Sequence, residues 1–67
     1  MGIKAIGVVG NANKTHVVEN IARLADWIRG KGLELLLEKE AAAKLGARGY
    51  HGDELGSRAD LVVTMGG

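Results

Sequence analysis

Ala59-Asp60-Leu61-Val62-Val63-Thr64-Met65-Gly66-Gly67 is the stretch that decides how this chain is read. Leu61 to Met65 read as a buried β-strand: a short apolar run, rich in β-branched residues, that ends in a glycine pair. A diglycine at the carboxyl end of a parallel strand lets backbone approach a ligand closely, as phosphates require. Glycine pairs also end strands simply as turns, and both readings stand at this point. Residues that do chemistry normally follow such a turn, so the sequence has the look of a chain cut at the threshold of an active site.

Working back toward the amino end, Gly46 to Arg58 holds four glycines and reads mostly as loop, with one helical turn around Asp53-Glu54-Leu55. Glu40 to Leu45 reads as a short helix that Gly46 ends, supported by a Glu40-to-Lys44 pair one turn apart. Leu33 to Glu38 is a second strand with a leucine-rich centre. Before it, Val17, Val18, Ile21, Leu24, Ala25 and Ile28 recur at steps of three and four, the apolar face of a longer helix. Trp27 falls at the edge of that face. Gly30 and Gly32 close the helix, with Lys31 at the negative end of its dipole. Asn13 or Thr15 is placed to cap its start. Ile3 to Val9 is the first strand, apolar apart from Lys4 and Gly7, and reads as central and buried on both faces.

The order is therefore β-α-β-α-β. Strands joined by helices favour a parallel sheet, and strands buried on both faces need helices on both sides. The expectation is an α/β fold: a Rossmann-like βαβαβ half of a doubly wound parallel sheet. Residues 1–67 form one partial domain, with strand order 2-1-3 and strand one central.

Composition narrows the function classes. A chain of 67 residues buries only about 60% of the surface it exposes when unfolded, so its stability is marginal. It has no cysteine, hence no disulfide and no thiolate metal site, and nothing suggests an oxidising compartment. The net charge is +1 with both signs interspersed, which argues against a nucleic-acid surface. No apolar run approaches the roughly 20 residues of a membrane span. The amino end has no signal-peptide layout, and a cytoplasmic protein is the simplest expectation.

Several motifs fail on inspection. Gly7 and Gly10 give G-x-x-G where a dinucleotide fingerprint needs G-x-G-x-x-G. Glu38, at the end of strand two, could mimic the ribose-binding acid of that fold, but an exposed strand-end charge is the favoured reading. Lys14-Thr15 opens a helix after a strand, but a P-loop needs glycines where Val8 and Asn13 stand. What survives is a polar turn, Gly10 to Lys14, whose N–H groups and Lys14 could meet an anion; an ordinary capped turn explains it as well. His16 and His51 have no metal-ligand spacing, and Asp53 beside His51 leaves a zinc site short of ligands. Thr64 and Ser57 have no partner in a nucleophile motif. No catalytic residue and no metal ligand is assigned.

With the strand order and terminal glycines in hand, the chain resembles the N-terminal part of a bacterial NAD kinase. Ile6-Gly7-Val8-Val9-Gly10-Asn11 is similar to that family's first strand and turn. Leu24 to Glu34 is similar to its first helix running into strand two, and Ala59 to Gly67 to the strand that leads into its Gly-Gly-Asp-Gly motif. The last segment is shared with phosphofructokinases and diacylglycerol-type lipid kinases. The resemblance implies phosphoryl transfer from ATP or polyphosphate, with magnesium, to the 2′-hydroxyl of the adenosine ribose of NAD, giving NADP. It implies nucleotide or phosphate binding at Gly66 and Gly67, which match the first two motif residues, beside Asn11 and Lys14. The motif aspartate would come next and is absent, so this stretch alone is expected to be inactive and to bind no cofactor. Two alternatives remain: a portion of a related Gly-Gly-Asp-Gly lipid kinase, or an engineered or excised minimal βαβαβ module for folding and assembly. An exposed sheet edge or apolar face predicts a homo-oligomer.

Overall fold

The computed structural model describes residues 2–65. The glycine pair Gly66-Gly67 lies outside the described residues. The elements follow in the order β1 (Ala5–Gly10), α1 (Thr15–Gly30), β2 (Glu34–Glu38), α2 (Lys39–Leu45), β3 (Gly49–Tyr50), α3 (Gly52–Arg58) and β4 (Leu61–Met65). All strand pairs are parallel, and the sheet order is β3-β2-β1-β4.

Alternation along β1 builds two cores. Ile6 and Val8 point to one face and pack with Val17, Ile21 and Ile28 of α1 and Ala41 and Ala42 of α2. Ala5 points to the other face, where Leu36, Tyr50 and Leu55 close over it. Adjacent Leu36 and Leu37 of β2 divide between the two faces in the same way. Thus α1 and α2 cover one side of the sheet and α3 the other, the arrangement that a strand buried on both faces demands. Each fully buried large side chain here contributes about 1.5–3 kcal/mol relative to exposure.

The helix α1 buries Val17, Ile21, Ala25 and Ile28, the stripe read from the spacing, with Val18 and Leu24 half-buried at its margins. Trp27 stands further out than the edge position expected of it: it is 55% exposed, with the Lys31 ammonium 5.5 Å from the ring centroid. Gly32 and Gly46 end their helices in the left-handed region, at φ 75° and 67°, where a side chain would be strained.

Three expectations need correction. The segment from Gly46 to Arg58 is not mostly loop, because it contains the two-residue strand β3 and the two-turn helix α3. Its glycines hid an apolar spacing, in which Tyr50, Leu55 and Ala59 close the second core. The chain is therefore β-α-β-α-β-α-β, although the predicted order around strand one holds, with β2 and β4 flanking β1. Leu61 to Met65 does form a strand, but not a buried one, since Leu61 is 45% and Val62 42% exposed at the sheet edge. Finally, the first strand begins at Ala5, and Ile3 is exposed ahead of it.

One polar contact ties β4 into place. Asp60, just before the strand, accepts from the Lys4 N–H at 2.8 Å and the Ala5 N–H at 2.9 Å through Oδ2. Its own N–H donates to the Ala5 carbonyl at 2.8 Å. These donors, Lys4 first and then Ala5, hold its carboxyl below the ordinary aspartate range.

Candidate nucleotide-binding edge

The carboxyl ends of parallel strands share one edge of the sheet, and ligands of open α/β sheets bind outside that edge where the strand order reverses. Here the chain steps outward from β1 to β2 to β3, then crosses back to place β4 on the far side of β1. The reversal falls between β1 and β4. Their last residues, Gly10 and Met65, are register partners.

From Gly10 the chain enters the polar turn. Asn11 Oδ1 accepts from the Asn13 N–H at 3.0 Å, and the Lys14 N–H donates to the Asn11 carbonyl at 3.1 Å. Lys14 occupies the cap position of α1 with extended backbone, and no side chain caps the helix. Neither Asn13 nor Thr15 performs the capping expected of it. Asn11 instead spends its side-chain oxygen within the turn, on the Asn13 N–H. The Lys14 carbonyl accepts from both Val17 and Val18 at 3.1 Å. The N–H groups of Thr15 and His16 open the helix without a protein acceptor among the described residues.

Of the residues singled out from sequence, Asn11 and Lys14 are thus brought to the switch point, exposed, one strand away from the end of β4. Gly66 and Gly67 follow Met65 in sequence and lie outside the described residues. Glu38 ends β2 on the same edge, half-buried, opposite Tyr50 of β3. His16 and His51 are not brought together: one opens α1 and the other precedes α3, on opposite faces of the sheet. Ser57 Oγ donates to the Glu54 carbonyl at 3.0 Å, an intrahelical bond that accounts for it. Thr64 is exposed on the edge strand.

Free backbone N–H groups at a helix start, with a lysine at the cap position, are donors of the kind an anion takes. They do not fit magnesium, for the turn offers no carboxylate, and among the described residues no three His, Asp or Glu side chains cluster around a common point. A surface hollow of about 190 Å³, lined by Ala22, Asp26, Arg29, Leu37 and Leu45 among others, includes none of these residues. Sequence reasoning missed Gly10 as a point of close packing and Asp60 as a strand anchor. Both depend on contacts with residues distant in sequence. It also missed the setting of Tyr50, whose ring lies 5.3 Å from the Arg48 guanidinium and 5.2 Å from that of Arg58.

Comparison with known proteins finds relatives by sequence. Across 67 aligned residues, 96% of the chain, it is 36% identical to the NAD kinase of Burkholderia cenocepacia strain HI2424, covering 22% of that protein. It is 33% identical to the NAD kinase of Nitrosococcus oceani, with 96% of the chain and 23% of the relative covered. Against the NAD kinase of Aromatoleum aromaticum it is 29% identical, with the same shares covered. No family model and no solved structure matches the chain. The chain spans about a fifth of the length of the curated relatives it matches. Over nearly its whole length, then, this chain is similar to a portion of curated NAD kinases, as an N-terminal fragment of one would be.

Proposed function

We propose that this chain supplies the nucleotide-binding edge of an enzyme that phosphorylates the 2′-hydroxyl of the adenosine ribose of NAD, giving NADP, with ATP or polyphosphate as donor. The observation that carries the reading is the placement of the Asn11–Lys14 turn beside the end of β4, at the point where the strand order reverses. Phosphoryl transfer asks a protein chiefly for positioning and for neutralisation of phosphate charge. Lys14 and the N–H groups of Thr15 and His16 suit that task, and Gly66 and Gly67 would let backbone approach the phosphates. When bound with the nucleotide, magnesium would shield phosphate charge.

The test is NADP formation from NAD, ATP and magnesium. A longer kinase carrying this sequence is expected to make NADP, and a polypeptide of these 67 residues is expected to make none. NADP from the short polypeptide, or none from the long one, would overturn the reading.

We also infer that copies associate through the β4 edge. Leu61 and Val62 are exposed, and Leu61–Met65 carries none of the charges or prolines that usually protect an edge strand. Light scattering is expected to give a mass above that of one chain. Among the described residues no helix is long and apolar enough to cross a membrane. The cysteine-free composition suits a reducing compartment, and we place the protein in the cytoplasm.

A further inference from the structure

Gly10 is closed in on two sides. A Cβ built there would lie 2.8 Å from Ile21 Cδ1 and 3.0 Å from Val17 Cγ1, both on α1. It would also lie 3.3 Å from the Met65 carbonyl oxygen, on β4. The first two are side-chain atoms that repacking can move. The third is backbone, held by the ladder that pairs β4 with β1. Gly7 offers a contrast, since the atoms a Cβ would meet there belong to the side chains of Leu55 and Ala59. Packing of α3 against the sheet explains Gly7 completely. It does not explain the approach of the Met65 carbonyl to Gly10.

That carbonyl belongs to the peptide that joins Met65 to Gly66. We propose that Gly10 is a positioning residue: without a side chain at the end of β1, the Met65 carbonyl can lie directly against it, which holds the end of β4 next to the strand that leads into the Asn11–Lys14 turn. A methyl group at position 10 pushes the two strand ends apart by a few tenths of an ångström and so displaces the end of β4 relative to the Asn11–Lys14 turn. The consequence for catalysis rests on the NAD kinase reading; the displacement does not.

The experiment separates these effects with two variants. Gly10→Ala alone adds the methyl group against both neighbours. Gly10→Ala combined with Val17→Ala and Ile21→Val removes the two helix-side contacts and leaves the one to the Met65 carbonyl. In the full-length kinase, well below the melting temperature, kcat is expected to fall about ten-fold in both, because small misplacements of reacting groups are costly. The combined variant is expected to keep that loss of kcat although the crowding against α1 is gone. Recovery of kcat in the combined variant would reduce Gly10 to a packing residue and overturn the proposal, as would kcat within two-fold of the parent for Gly10→Ala. The second readout needs no activity: the Gly66 amide resonance of the 67-residue chain is expected to move in both variants alike. An unmoved Gly66 resonance in the combined variant overturns the proposal. A parent that makes no NADP, with the resonance shifted in both, overturns the NAD kinase reading and leaves the positioning role standing.

Discussion

β1 and β4 lie side by side, and both are short, apolar and rich in valine. Their surroundings are opposite. Val8, in the middle of β1, is fully buried, while Val62, one register step away on β4, is 42% exposed. β1 has a strand on each side and helices on both faces. Among the described residues β4 has one neighbour, and its Val63 and Met65 pack against the core beneath α1. Strand-forming character is local, then, but burial is assigned by what stands on either side.

Substitutions can break or sharpen that contrast. The largest effect is expected for Val8→Ala, which removes two methyl groups from a closed site. It should lower unfolding free energy by about 2 kcal/mol in urea denaturation. Gly7→Ala follows, because its new methyl group would overlap Leu55 and crowd Ala59. A loss of about 1.5 kcal/mol is expected, and none at all would mean that α3 moves aside freely. Val62→Ala should change stability by less than about 0.5 kcal/mol. A loss as large as that of Val8→Ala would show that something covers β4 in solution.

The smallest effect is a matter of pH. Because the Lys4 and Ala5 N–H groups lower the Asp60 pKa, the carboxylate favours the folded state at pH values above the ordinary aspartate range. That stabilisation is lost as pH falls through the lowered native value. Asp60→Asn should flatten this part of the acid limb of stability. It should also abolish the low-pH titration of the Lys4 and Ala5 amide resonances; persistence of that titration would point to another group.

Much of this was legible in the residues themselves. Steps of three and four gave α1 its buried face, Gly46 marked the end of α2, and β-branched runs marked β1 and β4. Reading failed where meaning came from a partner distant in the chain. Nothing near Leu61 says that it will be an edge residue. Tyr50 and Leu55 look like isolated apolar residues among glycines until β1 and β2 provide the surface that they cover. At the candidate site, the turn that holds Asn11 and Lys14 was legible because a polar stretch after a strand is a local signal. The crowding at Gly10 was not, since it involves Met65 at the other end of the chain.

The Asp60 contact also bears on the order in which the molecule assembles. It joins residues 56 apart in sequence, and pairing β4 with β1 closes a loop nearly twice as long as pairing β2 with β1. Doubling a loop adds about 0.6 kcal/mol of closure entropy, a cost met before any contact is made. β2 should therefore dock on β1 first and β4 last, with the Asp60 carboxylate catching the Lys4 and Ala5 amides as the final strand arrives. During synthesis the same order is imposed again, because β4 is the last described strand to leave the ribosome. The strand that brings the candidate site together is thus also the last of the described strands to dock.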